Sequence, residues 1–134
     1  MSQRVGIAAV LVVHEGRALV GRRPLTAASA AGYAEFPGGK VRPGETAAAA
    51  ARRECREETG LEVVIEALIA SDRVADTGRP INFYSGRPAP TATAVPQPPF
   101  AWLTAEDVAA CRFPPANAAA VEWLIHQLSR PREE

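Results

Sequence analysis

The sequence lacks several familiar signatures, and each gap removes a class of function. It has no GxGxxG turn and no P-loop, so dinucleotide binding and P-loop phosphate chemistry are not indicated. It has no basic surplus: 15 Lys and Arg face 15 Asp and Glu, for a formal net charge of zero. Domains that bind duplex nucleic acid normally carry one, so polymeric nucleic acid is not the expected partner. A small phosphorylated ligand stays open, because it needs only a few local charges. Cysteine is scarce, with Cys55 and Cys111 in no CxxC pair. A disulfide scaffold is therefore not expected, and both read as reduced thiols of a cytoplasmic protein. The two histidines, His14 at a turn and His126 on the outer face of the last helix, lie too far apart to suggest zinc. No apolar run is long enough for a membrane span, and residues 5–13 are too short and β-branched for a signal peptide.

What is present fits an ordinary globular chain of 134 residues, 47% hydrophobic and 22% charged, expected to form one domain over 1–134 without repeats. Residues 5–13 and 18–21 read as strands of a hairpin turning at Glu15-Gly16. Residues 24–32 read as a loop and 33–36 as an extended piece that stops at a Gly38-Gly39 turn. Thr46 is a plausible N-cap for a helix over 47–59, with Gly60 as its stop. Strands are expected at 61–69, 81–85 and 100–103. Residues 87–99 carry five prolines and read as a surface loop. A short helix follows Thr104 to residue 110. A last helix is expected over 116–128, with Val121, Leu124, Ile125 and Leu128 on its apolar face and a frayed tail over 129–134. Trp102 and Trp123 read as core residues.

The helix at 47–59 carries the chemistry. Glu54, Glu57 and Glu58 stand at i, i+3 and i+4 and share one face. Like charges at these spacings cost roughly 0.2–0.5 kcal/mol per pair. They also fall near the C-terminal end, where the helix dipole disfavours negative charge. Arg52, Arg53 and Arg56 offset part of this, and charged helix faces are commonly just solvated. Three clustered carboxylates are also what a hard divalent cation requires. Mg2+ takes oxygen ligands and keeps water positions for substrate phosphates. The preceding glycines allow close backbone approach and can offer a carbonyl to the same ion.

The stretch GGKVRPGETAAAAARRECREETGL (38–61) resembles the Nudix box, in which fixed residues follow the pattern GX5EX7REUXEEXGU with U a bulky apolar residue. Gly39, Glu45, Arg53, Glu54, Glu57, Glu58, Gly60 and Leu61 fill its fixed positions. Cys55 takes a U position normally aliphatic. The resemblance implies an α/β/α sandwich around a mixed β-sheet. It implies Mg2+, with Mn2+ as a substitute, held by Glu54, Glu57, Glu58 and the Gly39 carbonyl. It implies that Arg53 orients the catalytic glutamate, that one glutamate helps activate water, and that Glu45 and Gly60 hold the loop and helix together. The implied reaction is hydrolysis of a nucleoside diphosphate linked to some group X.

Three other segments resemble MutT-type members of that family: Arg22-Arg23, Glu35-Phe36-Pro37-Gly38-Gly39-Lys40 and Phe113-Pro114-Pro115-Ala116-Asn117. That likeness implies a nucleoside triphosphate substrate, oxidised guanine nucleotides included. Asn117 would read the base edge, with Arg23 near the nucleotide, Lys40 near the phosphates and Phe36 stacked on the base. On its own, Asn117 after Pro-Pro reads first as a helix cap or first-turn residue, and the matching segments bring the base-reading role level with it. One departure stands out. MutT-type members supply another acid from the loop before the last strand, but residues 91–99 contain none, and Val95 stands in its place. Asp72, Asp76 and Glu106 are the acids available to substitute. Alternatives remain: a hydrolase of ADP-ribose, nucleotide sugars or dinucleoside polyphosphates, or a non-catalytic nucleotide-binding module. Expected partners are a nucleotide but no membrane, with the chain a monomer or homodimer.

Overall fold

The computed structural model describes residues 5–26, 31–90 and 93–130. Strand β1 (Ile7–His14) shows why a sandwich forms. Ala8, Val10 and Val12 enter one buried cluster with Ala50, Ala51, Cys55, Leu61 and Phe100. Ala9 and Leu11 point the other way, into a cluster with Phe36, Phe83, Val108, Ala120 and Leu124. A strand that alternates with both faces buried must be central, with helices above and below.

The remaining elements are β2 (Arg17–Arg22), β3 (Ala34–Glu35), β4 (Gly38–Lys40), α1 (Ala47–Thr59), β5 (Val63–Arg73), β6 (Pro80–Pro88), β7 (Ala101–Leu103), α2 (Ala105–Ala110) and α3 (Ala118–Leu128). The sheet runs β3-β2-β1-β6-β5, with β4 paired to β1 and β7 to β2. β1 and β6 are parallel while the other pairs are antiparallel, so the sheet is mixed. Helix α1 covers one face, and α2 with α3 cover the other. The fold is thus the expected α/β/α sandwich.

Several boundaries differ from expectation. Gly38-Gly39 is not a turn but the start of β4, with Gly39 opposite Ala8. A Cβ on Gly38 would lie 2.5 Å from the Ala8 carbonyl oxygen, so the glycine at 38 is what lets β4 approach β1. β6 runs on through Arg87 and Pro88, so the proline-rich loop begins after them. Pro80 and Pro88 sit at the strand ends, where a missing N–H costs least. β5 continues past residue 69 through Ser71, Asp72 and Arg73, because pairing with β6 outweighs their polar character. The last helix starts at Ala118, after a 3-10 turn over Pro115–Asn117 that bonds the Asn117 N–H to the Pro114 carbonyl. Trp102 and Trp123 are half-buried at the edges of the two clusters rather than inside them. Residues 27–30 of the early loop, Thr91 and Ala92 of the proline-rich stretch and 131–134 of the tail lie outside the described residues.

The end of the proline-rich stretch is tied down. The Gln97 N–H donates to the Thr59 carbonyl at 2.9 Å, and the Trp102 indole N–H donates to the Ala94 carbonyl at 2.7 Å.

Candidate active site

Helix α1 is made by its sequence and stopped by it. The Thr46 hydroxyl caps the Ala49 N–H at 3.1 Å, and alanines fill the first turn and a half. Gly60 closes the helix in the left-handed region at φ 80°, donating to the Arg56 carbonyl. Thr59, fully buried, donates its hydroxyl to the Cys55 carbonyl at 2.6 Å and accepts from the Leu61 N–H at 3.1 Å. Ala50, Ala51, Cys55 and Thr59 face the sheet. Burial pushes the Cys55 thiol up to about 11, so it packs as a small apolar group.

With that face buried, Arg53, Glu54, Glu57 and Glu58 are turned toward β4. Arg53 organises them. Its Nε and one terminal nitrogen grip both oxygens of Glu45 at 2.8 and 3.0 Å. The second terminal nitrogen reaches Glu54 at 2.9 Å and Glu57 at 3.3 Å. A further bond runs to the Lys40 carbonyl at 3.0 Å. The planar fork suits this shared grip in a way a lysine ammonium does not. The Arg53 fork, then the Arg42 N–H, hold the Glu45 carboxyl well below the usual range, at about 2. The Glu45 pairing in turn holds the guanidinium charged.

Gly39 lies directly beneath Glu54. A Cβ there would stand 2.4 Å from the Glu54 carboxyl carbon, so the glutamate lies in space that any side chain would fill. Glu58 accepts the Gly38 N–H at 2.8 Å. Burial raises its carboxyl to about 7 against that bond, and Glu54, Glu35 and Glu57 add like-charge repulsion. Such a crowd of carboxylates is chemistry that a hard cation relieves. Among the described residues no three such side chains already close around one point, since Arg53 and Arg42 engage Glu57 and Arg53 engages Glu54. The donor set therefore fits a divalent cation.

A second feature is a cleft of about 540 Å³ lined by Tyr33, Val74, Asp76, Ile81, Pro115 and Asn117, among others. Asn117 is largely buried and makes no side-chain capping bond, so the helix-cap reading does not account for it. Phe36 is not in the cleft. It stacks on Phe113 at 4.8 Å and meets Phe83 edge-on, inside the core, so the expected base-stacking role is corrected to packing. Tyr33 is the aromatic at the cleft instead. Arg23 pairs with Glu35 at 3.7 Å, and Lys40 has its side chain exposed at the end of β4.

The search for a substitute acid also resolves differently. Asp72 accepts its neighbour's N–H at 2.7 Å, Asp76 lines the cleft, and Glu106 sits in the first turn of α2. The groups acting on Glu58 are Glu54, Glu35 and Glu57. Glu35 was readable in the segment before Gly38, but nothing in its spacing set it beside a helix many residues later. Val95 is 75% exposed and contributes no acid.

The fold and this acidic, arginine-braced helix under a glycine strand define a class of phosphoanhydride hydrolase. The NUDIX domain model matches residues 2–127, and the chain belongs to the Nudix hydrolase family. It is 28% identical over 133 residues to the CTP pyrophosphohydrolase of Escherichia coli (strain K12), covering 96% of this chain and 98% of that one. The solution structure of the E. coli ORF135 protein matches with a TM-score of 0.72 at 27% identity, covering 98% and 96% of the two chains. A MutT structure from work on Aliivibrio salmonicida and Vibrio cholerae also matches at 0.72 and 27%, covering 93% and 99%. The protein is accordingly a pyrophosphohydrolase acting on nucleoside diphosphate derivatives. Among the described residues, no helix is long and apolar enough to cross a membrane.

Proposed function

We propose that this enzyme hydrolyses a nucleoside triphosphate to the monophosphate and pyrophosphate, with Mg2+ as cofactor and Mn2+ as a substitute. The observation that carries the reading is the cleft at Asn117: a largely apolar space with room for a nucleobase, with a buried amide whose donors and acceptor are not spent on capping. The relative named CTP pyrophosphohydrolase and the MutT neighbour support a triphosphate.

In this reading Glu54, Glu57, Glu58 and the Gly39 carbonyl hold the cation. When bound, it supplies charge neutralisation for the phosphates and a water of lowered pKa. The chain's own groups do the rest. Arg53 keeps Glu54 and Glu57 beside the reacting phosphate, which is positioning work. Glu58 has one oxygen fixed by Gly38 and the raised proton affinity that suits the acceptor of the water's proton. Lys40 and Arg23 supply positive charge toward the phosphates and nucleotide. The free thiols of Cys55 and Cys111 support a cytoplasmic setting.

The test is a Mg2+-dependent hydrolysis screen with products resolved. Its substrates are canonical and 8-oxo nucleoside triphosphates, ADP-ribose, nucleotide sugars and dinucleoside polyphosphates. Release of pyrophosphate and monophosphate from triphosphates alone is the expected result. Turnover confined to another diphosphate overturns the triphosphate assignment.

A further inference from the structure

The cleft at Asn117 carries one acidic side chain, Asp76, on the tip of the β5–β6 hairpin. The tip is braced. The Val74 N–H donates to the Arg79 carbonyl at 2.9 Å, and the Gly78 N–H to the Val74 carbonyl at 2.8 Å. The Arg79 N–H donates to the Thr77 hydroxyl at 3.2 Å, and the Arg73 guanidinium to the Gly78 carbonyl at 3.0 Å. These bonds use the neighbours of Asp76 but not its carboxylate. Among the described residues Asp76 makes no hydrogen bond or ion pair, although Arg73 and Arg79 lie within three residues of it. A carboxylate beside an apolar wall of Val74, Ile81 and Pro115, left unpaired on a braced turn, is available to a ligand.

We infer that Asp76 is a specificity-determining residue that selects bases with an amino group on their pairing edge; this rests on the base entering the cleft at Asn117. An ionised carboxylate only accepts hydrogen bonds, whereas the Asn117 amide offers both a donor and an acceptor and tolerates either kind of edge. Asp76 therefore binds the amino group of cytosine or the 2-amino group of guanine. It repels the keto oxygen of uracil, and with hypoxanthine, which lacks the 2-amino group, it loses one of the donors that guanine offers. A hydrogen bond to a charged acceptor gives a ratio of about tenfold between such pairs.

The experiment measures kcat/KM of the full chain for the matched pairs CTP and UTP, and GTP and ITP. Equilibrium binding of CMP, UMP, GMP and IMP is measured alongside, because it needs no turnover. Wild type is expected to prefer the amino-bearing member of each pair by about tenfold. Asp76→Ala, at an exposed position, is expected to fold normally and bring both ratios near one. Asp76→Asn is expected to move uridine and inosine nucleotides closest to parity, because its amide can donate to a keto oxygen. Ratios that survive in Asp76→Ala, or that are absent in wild type, overturn the inference. Asn117→Ala separates it from the reading beneath. If that change leaves all four affinities untouched, the base does not enter the cleft and both fall. If it weakens them while Asp76→Ala leaves the ratios intact, only the role of Asp76 falls. A monophosphate preference without triphosphate hydrolysis retains Asp76 and removes the triphosphate assignment.

Discussion

Replacing Gly39 by alanine adds one methyl group directly beneath Glu54. The new Cβ would lie 2.4 Å from the Glu54 carboxyl carbon and 2.6 and 2.7 Å from its oxygens. Ordinary contact begins near 3.4 Å, so the carboxylate must retreat by about 1 Å. The contacted atoms are the end of a side chain, not backbone, so the fold can yield. What yields is the 2.9 Å bond from Arg53 to Glu54. Losing that part-buried bond costs roughly 0.5–1.5 kcal/mol of stability. A 1 Å misplacement of a catalytic group costs on the order of 100-fold in rate. The expected outcome is a fall in kcat of about that size with KM little changed and a melting temperature lowered by only a few degrees. Gly6→Ala is the control, because its Cβ would meet nothing nearer than 3.7 Å. Steady-state kinetics and a thermal melt on the three proteins decide the matter. If Gly39→Ala keeps its rate within threefold of wild type, Glu54 is not held where the reaction needs it.

Other outcomes follow from the same site. Glu54→Gln and Glu57→Gln are each expected to lower turnover by at least about 100-fold, read by pyrophosphate release. Arg53→Lys keeps the charge but not the fork that grips Glu45, so it is expected to lose both rate and thermal stability, whereas Lys40→Ala is expected to raise KM alone. The raised Glu58 carboxyl has a definite sign: its contribution to stability is complete below about pH 4.5 and lost as pH rises through about 7. Without divalent ions, the melting temperature should therefore drop between pH 5 and 8, less so in Glu58→Gln, and added Mg2+ should raise it more at pH 8 than at pH 5.5. Thr59→Val removes a buried hydroxyl that serves two backbone groups and is expected to cost about 1–3 kcal/mol in denaturant unfolding.

The helix, its caps and its carboxylate face were legible because their causes are local. Thr46, the alanine run and Gly60 act within a few residues of one another, and the Glu54, Glu57 and Glu58 spacing is a helical period. Strand β1 was legible as buried but not its two-sidedness, because alternation of small and branched apolar residues leaves no polar face to count. The errors lie where long-range pairing decides. Gly38-Gly39 carries a turn signal, yet contact with Ala8 makes it a strand. Ser71-Asp72-Arg73 carries a loop signal, yet β6 extends it. Phe36 looked available to a base because its partner Phe113 lies far along the chain. Glu35 was passed over for the same reason, since its proximity to Glu58 is created by the sheet.

The attachment of residues 94 and 97 sets a map of tolerance. Ala94 is moored by Trp102 and Gln97 by Thr59, the last residue of α1. A segment fastened at both points is a strap, not a lid, and it fixes the far end of α1 from outside the sheet. Extra residues should be accepted more readily ahead of Ala94 than after it. Between Ala94 and Gln97 even one inserted residue shifts a mooring, and the slack is passed to the helix that carries Glu54, Glu57 and Glu58.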